Sequence, residues 1–269
     1  MSRIQTRFEH LQSTGRKALI PFITAGDPRP DVTLTLMHRL VEAGADIIEL
    51  GVPFSDPMAD GPIIQKAGER ALAAGITLVG VLEIVRQFRT QDEATPVVLM
   101  GYFNPIEAMG VDLFAQRAAS AGVDGVLTVD VPLEEASELL PALESAGIDP
   151  IFLLSPTSDE QRIARTGELG RGYLYYVSLK GVTGSATLDV DAVAEKLAMI
   201  RQHVSLPIGV GFGIRDATSA AMIARTADAV VVGSALVTLV AENLDDEQHM
   251  LHAVTSLLGS MRQAMDAAG

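Results

Sequence analysis

A single carboxylate inside an otherwise apolar segment is the first indication of chemistry. Glu49 is the only charged residue between residues 47 and 52. Burying a carboxylate is costly unless it is used or paired, so Glu49 is a candidate active-site residue, and pairing with a polar neighbour is the alternative. Asp60 follows in a loop with three prolines between residues 53 and 62. Asp130 ends a later apolar run, where it is either a functional carboxylate or a structural one in a loop or at a helix cap.

Glycines cluster near the ends of the last three predicted strands. They lie at 181–184, 209–213 and 233, and Ser234 follows the last of them. A short helix is predicted at 235–243. Free backbone N–H groups in such loops and at a helix N-terminus can bind a phosphate group, whereas tight turns without a ligand are the alternative.

The hydrophobic pattern predicts which elements position these residues. Eight apolar, β-branched runs alternate with segments of helical spacing, which predicts parallel strands buried on both faces. Eight such units indicate one closed (β/α)8 TIM barrel, residues 1–269, because an open doubly wound sheet of this length usually has fewer strands. The predicted strands are 18–24, 46–52, 97–103, 125–131, 150–154, 172–179, 207–212 and 228–233.

Three further features refine the predicted barrel. An N-terminal helix precedes the first strand, and the long connection after the second strand contains two extra helical stretches, 62–74 and 78–90. The helix at 235–243 is an extra element after the eighth strand. The helix-to-strand junctions at 43–46, 121–124 and 146–149 repeat the pattern Ala-Gly-apolar-Asp, in which the glycine suits a helix C-cap.

Composition excludes several classes of function. Acidic residues exceed basic ones by 34 − 20 = 14, and this negative field disfavours nucleic acid and anionic membranes as partners. The chain has no cysteine and its five histidines fall in helical stretches, so we predict no metal site, disulfide or thiol nucleophile. No apolar run is long enough for a membrane span and no secretory signal is evident, which makes a cytoplasmic protein the expectation.

The sequence resembles the α subunits of tryptophan synthase over essentially its whole length. The resemblance rests on Glu49 and the following LGVPFSDPMADGP at residues 50–62, together with GVTG at 181–184, GFG at 211–213 and GS at 233–234. It implies cleavage of indole-3-glycerol phosphate to indole and glyceraldehyde 3-phosphate. It also implies that this chain needs no cofactor of its own and passes indole to a pyridoxal-phosphate-dependent β subunit in an α2β2 complex.

The resemblance also implies roles for individual residues. Glu49 resembles the catalytic acid and base, Asp60 resembles the carboxylate that engages the indole N–H, and Tyr175 resembles the active-site tyrosine. The implied indole-pocket residues are Phe22, Tyr102, Leu127 and Phe212. The implied phosphate-site residues are Gly184, Gly213, Gly233 and Ser234, with Thr183 as the threonine of a mobile loop.

Two rival functions remain at this point. A Schiff-base aldolase would use Lys180, which stands near the end of the sixth predicted strand. A non-catalytic barrel that only activates a partner protein is the other rival, although Glu49 and Asp60 would then have no purpose.

Overall fold

The predicted strands form one continuous parallel sheet. The computed structural model describes residues 2–178, 190–211 and 213–268. The strands run in the order β5-β4-β3-β2-β1-β9-β8-β7-β6. They are β1 (Ala18–Thr24), β2 (Ile48–Gly51), β3 (Val97–Gly101), β4 (Gly125–Thr128), β5 (Asp149–Pro150), β6 (Phe152–Leu154), β7 (Leu174–Val177), β8 (Ile208–Gly211) and β9 (Ala229–Val232).

The sheet closes on itself within the fifth predicted strand, which is divided at Ile151 into β5 and β6. The β5 part pairs with β4, and the Ile151 N–H donates to the Val126 carbonyl at 2.9 Å. The β6 part then pairs with β7 on the opposite side. Two adjacent segments therefore join the two ends of the sheet, and the predicted (β/α)8 barrel is confirmed.

Helices follow the strands in the predicted alternation. The two extra helical stretches after the second strand and the extra helix after the last strand are present, as predicted. The helices are α1 (Arg3–Ser13), α2 (Pro30–Glu42), α3 (Pro62–Ala73), α4 (Leu78–Phe88), α5 (Phe103–Met109), α6 (Val111–Ala121), α7 (Leu140–Ala146), α8 (Glu160–Leu169), α9 (Val190–Arg201), α10 (Ala217–Ala224), α11 (Ser234–Glu242) and α12 (Glu247–Ala268), with a 3₁₀ turn at Ala136–Glu138.

Alternation along the strands separates two apolar layers. Side chains on the outer face of the barrel pack against the helices, whereas those on the inner face fill the barrel, because successive residues of a strand point to opposite sides. The inner cluster contains Ile20, Ile47, Val98, Leu127, Ile151, Tyr173, Tyr175 and Val231. Glu49 stands on the inner face of β2, among this apolar packing.

Helix α1 closes the amino-terminal end of the barrel. Its Ile4 and Phe8 belong to the inner apolar cluster. Polar side chains at its start reach carboxylates at the beginnings of strands: Arg3 pairs with Asp124, just before β4, at 2.8 Å, and the hydroxyl of the N-cap residue Ser2 donates to Asp149, the first residue of β5, at 2.6 Å. The repeated Asp at the helix-to-strand junctions therefore anchors this end of the barrel.

None of the described helices is by itself long and apolar enough to cross a membrane. Taken together, α3 and α4 satisfy the length and composition criteria, but the pair is bent by 92° at its break.

Candidate active site

Glu49 is completely buried in the barrel and has one hydrogen-bond partner among the described residues. Its side chain is 0% exposed. The Tyr173 hydroxyl, which reaches Glu49 from the residue just before β7, donates to Oε1 at 2.5 Å. The other oxygen, Oε2, is buried without a hydrogen-bond partner in the described part of the chain. The carboxylate is therefore held at one oxygen and free at the other.

The surroundings of Glu49 change its protonation. Burial raises its pKa from 4.5 to about 7, because the apolar interior disfavours the charged form, and the hydrogen bond from Tyr173 opposes this rise. A carboxyl with a pKa near neutrality is populated in both forms at neutral pH. It can consequently give up and accept a proton in one catalytic cycle.

Tyr175 lies two residues beyond Tyr173 on the same inner face. Burial raises its pKa well above 10, and the charge of Glu49 adds to the rise, so its phenol stays neutral. A Cβ at Gly211 would overlap the Tyr175 hydroxyl. Glycine at position 211 of β8 is thus required for the tyrosine ring to cross the barrel in this orientation.

Asp60 lies on the loop between β2 and α3 and is half-buried. Burial raises its pKa, and a hydrogen bond from Tyr102 opposes the rise. The Tyr102 hydroxyl also accepts from the Ala59 N–H at 2.9 Å. Tyr102, just after β3, therefore holds the end of a loop that would otherwise be mobile.

A pocket lined mainly by apolar side chains surrounds Asp60. Phe22, in the last part of β1, and Tyr102 are among its walls, and both are residues for which the resemblance implies a role in an indole pocket. Phe22 pairs in register with Glu49 on the neighbouring strand, so one wall of the pocket lies beside the buried carboxylate. A Cβ at Gly51 would approach the Phe22 ring to 2.5 Å, which explains the glycine there. The pocket also includes Phe54, Ile64, Met100 and Val129.

The remaining predicted site residues that the structure describes lie outside the pocket around Asp60. Leu127 is fully buried in the inner apolar cluster. Gly213 has a φ of +76°, a backbone conformation that favours glycine, and Gly233 and Ser234 begin α11. The N–H groups in the first turn of a helix have no intrahelical partner, so this helix end is suited to bind an anion. Thr183, Gly184 and Phe212, and also Lys180, lie outside the described residues.

Two features of the site were not evident from the sequence alone. Tyr173 reads as one of several aromatic residues near a strand, and only the position of its hydroxyl opposite Glu49 distinguishes it. Phe54 lies in the proline-rich loop, and its ring centroid is 5.2 Å from that of Tyr102.

The structure also shows the role of Asp130. Its carboxylate accepts from the N–H of Phe103, the first residue of α5, at 2.9 Å, so it acts as a helix cap.

Comparisons with known proteins agree on one family. The family model described as tryptophan synthase alpha chain matches residues 8–266. The tryptophan synthase alpha chain of Thioalkalivibrio sulfidiphilus is 65% identical over 266 residues, which cover 99% of this chain and 100% of that protein. The corresponding chain of Nitrosococcus oceani is 59% identical over 267 residues, with coverage of 99% and 98%.

A solved structure shows the same similarity in three dimensions. The crystal structure of tryptophan synthase subunit alpha from Legionella pneumophila str. Paris superposes with a TM-score of 0.92 at 46% sequence identity, and 99% of each chain is covered. At this level of identity, the similarity extends to the sequence as well as to the barrel.

Proposed function

Since this chain belongs to the tryptophan synthase alpha chain family, we propose that it cleaves indole-3-glycerol phosphate with Glu49 as acid and base and Asp60 as the carboxylate that binds the indole nitrogen. The reaction yields indole and glyceraldehyde 3-phosphate and belongs to tryptophan biosynthesis. The observation that carries the assignment is the buried Glu49, which has a free oxygen and a pKa raised to about 7.

The chemistry of the cleavage requires two proton movements. A proton adds to C3 of the indole ring, and the hydroxyl on the adjacent side-chain carbon loses one as the carbon–carbon bond breaks. The electrons of that bond return to the ring, and the hydroxyl carbon becomes the aldehyde. One carboxyl that both gives and takes a proton restores its own state at the end of the cycle.

Asp60 stabilises the positive charge that develops on the indole nitrogen. Protonation at C3 places positive charge on the indole nitrogen, and an anion close to this nitrogen stabilises the charged state. The position of Asp60 in a pocket walled by Phe22, Phe54 and Tyr102 supports this role, since a flat aromatic ring needs apolar and aromatic walls. Tyr175 completes the proposed catalytic set from across the barrel.

The phosphate group would bind at the glycine-rich ends of the last strands. The start of α11 at Gly233 and Ser234 supports this proposal, together with Gly213, which follows β8; Thr183 and Gly184 would add to it. Gly233 gives the cleaner test because its φ is negative, whereas that of Gly213 is positive. Gly233→Val should raise KM at least tenfold, whereas Gly259→Ala, in α12, should leave it unchanged. An unchanged KM in Gly233→Val would place the phosphate elsewhere.

A β subunit is the proposed partner, in an α2β2 complex, and it would bring the pyridoxal phosphate that this chain does not need for its own reaction. The loop that carries Asp60 would offer an apolar side chain to this partner, since Met58 is 93% exposed. Docking on residues 53–60 would favour the arrangement in which Asp60 meets the indole nitrogen. A tenfold activation needs about 1.4 kcal/mol of differential binding.

Turnover by the isolated chain tests the proposed function directly. We expect indole release from indole-3-glycerol phosphate without added cofactor, faster when the β subunit is present. Borohydride trapping with substrate should leave the protein unlabelled, whereas labelling at Lys180 would support the Schiff-base rival. Absence of turnover in both the free and the complexed chain would leave only the non-catalytic rival.

Coupling between the two subunits has its own test. If docking and substrate binding favour the same loop arrangement, glycerol phosphate at this site should tighten the affinity for the β subunit by the factor by which the β subunit tightens glycerol phosphate. Equal cleavage rates with and without the β subunit would contradict this account of the loop if the affinity for the β subunit is also the same with and without glycerol phosphate.

A further inference from the structure

We propose that Tyr173 is the positioning residue of the cleavage reaction: its hydroxyl fixes Oε1 of Glu49 and leaves Oε2 as the oxygen that exchanges protons with the substrate. The inference rests on the proposed role of Glu49 as acid and base. It assigns a distinct function to each of the two carboxylate oxygens.

The contact is short and protected from water. The Tyr173 hydroxyl lies 2.5 Å from Oε1, and both side chains are 0% exposed. Water therefore cannot compete for the bond, and a hydrogen bond to a carboxylate is at its strongest in such surroundings.

The tyrosine ring is itself held in place from two sides. Phe8 of α1, at the amino-terminal end of the barrel, contacts the Tyr173 ring, and the two ring centroids are 5.9 Å apart. On the neighbouring strand β8, the backbone at Gly209 lies close to the ring, since a Cβ there would be in van der Waals contact with Tyr173 Cδ2 at 3.4 Å. The donor thus has a fixed position before any substrate binds.

The groups around Glu49 leave Tyr173 as its hydrogen-bond partner. From the strand opposite, Tyr173 and Tyr175 face the carboxylate, and Tyr173 donates to it. The flanking strands supply apolar neighbours in register, Phe22 from β1 and Val98 from β3. Oε2 is without a partner among the described residues, so it is the oxygen left for an incoming ligand.

The phenol remains a donor throughout the working pH range. Burial and the nearby charge of Glu49 raise the pKa of Tyr173 well above 10. Its hydrogen bond favours the carboxylate form of Glu49 over the acid and so counteracts the effect of burial. Tyr173 therefore both orients Glu49 and keeps its pKa from rising further.

Tyr173→Phe removes the hydroxyl and keeps the ring. We expect the Glu49 titration to move upward by about 1 on the pH scale, and kcat to fall about tenfold because the carboxylate is less well oriented. KM should stay within about twofold, since Tyr173 does not line the substrate pocket. Tyr176→Phe is the matched control, because Tyr176 lies on the outer face of the same strand.

Two readouts should be combined on the full chain. Infrared difference spectroscopy of the ligand-free protein follows the carboxyl band that Glu49→Gln abolishes, and the pH dependence of kcat follows the catalytic group. Site-specific replacement of Tyr173 by 3-fluorotyrosine, a more acidic phenol of similar size, should move both titrations to lower pH. This variant also gives a result if Tyr173→Phe does not fold, and a merely structural role would not produce opposite shifts in the two variants.

The outcomes separate this inference from the proposed function. Shifts of the carboxyl band and of the pH profile in parallel support it. A carboxyl band that does not move in either Tyr173 variant, with catalysis intact, overturns the positioning role alone. A band that moves while the pH profile stays fixed shows that Glu49 is not the catalytic group, and overturns the proposed function together with this inference.

Discussion

Two buried carboxylates, Asp124 at the amino-terminal end of the barrel and Glu49 in its interior, have opposite environments. Asp124 accepts from the Val97 N–H at 2.8 Å and pairs with Arg3 at 2.8 Å and Arg89 at 2.7 Å. Among the residues that the structure describes, Glu49 has no cation as a hydrogen-bond partner, and its Oε2 has no partner. This part of the chain therefore satisfies the first carboxylate fully and the second only at one oxygen.

Other carboxylates at the amino-terminal end follow the pattern of Asp124. Asp46 accepts from the Leu19 N–H at 2.9 Å and pairs with Arg262 at 3.2 Å. Asp228 accepts from the Ile208 N–H and pairs with Arg201, both at 3.0 Å. Each ties the start of one strand to its neighbour. Paired carboxylates therefore hold this end of the barrel together, and the unpaired one marks the place where a ligand must complete the pairing.

Replacing the unpaired carboxylate should have the largest effect on catalysis. Glu49→Gln is expected to reduce cleavage of indole-3-glycerol phosphate by about 10²- to 10⁴-fold, because the amide cannot transfer the proton. Indole release under saturating substrate measures the loss. The free energy of unfolding at pH 8 should not decrease. Activity within about threefold of the unmodified chain would contradict the assignment of Glu49.

The corresponding change at the paired carboxylate should reverse this pattern. Asp124→Asn leaves the largely buried Arg89 without its partner, and we expect the free energy of unfolding to fall by about 3 to 5 kcal/mol. The fraction that remains folded should cleave substrate at close to the original rate. Urea unfolding, with activity per folded molecule measured at low temperature, checks both results. A selective loss of catalysis without loss of stability would make the two carboxylates equivalent.

The free energy of unfolding should also depend on pH through the titration of Glu49. Its pKa rises from 4.5 in the unfolded chain to about 7 on folding. The stability that comes from the neutral carboxyl is present below pH 4.5 and is lost as the pH rises through about 7. A difference of this size corresponds to about 3 kcal/mol. Unfolding curves at pH 4.5 and 8 should show this loss in the unmodified chain relative to Glu49→Gln; parallel curves would contradict it.

Asp60 is intermediate between the two cases, and we expect the smallest effect there. Tyr102→Phe removes a hydrogen bond that lowers the pKa of Asp60 and also the acceptor of the Ala59 N–H. The cost is about 1 kcal/mol, or about fivefold in kcat/KM, and it should be greater at acidic pH, where Asp60 protonates more readily. A pH profile of kcat/KM compared with that of Tyr176→Phe measures the effect. Identical profiles would show that Tyr102 does not hold Asp60.

Several elements of the fold could be predicted from local patterns. The first strand matches its predicted residues, 18–24, and the two helices inserted before the third strand begin at the predicted Pro62 and Leu78. Prolines at helix starts and glycines at helix ends fix such boundaries locally, as at Gly122 and Gly147, which both adopt the left-handed conformation. The division of the fifth strand at Ile151 was not predicted, because it depends on which neighbour each half pairs with.

The sequence by itself indicated Glu49, since a charge in an apolar strand is anomalous wherever the strand packs, and the spacing of the runs determined the barrel. Only the tertiary structure decided that Tyr173 holds Oε1, that Tyr102 holds the Asp60 loop, and that Asp130 caps a helix. Glu49 and Tyr173 are 124 residues apart in the chain. Their contact depends on the closure of the sheet and on the alternation of side chains across it, which bring residues far apart in the chain into one inner layer. No local sequence pattern determines how close two such side chains lie.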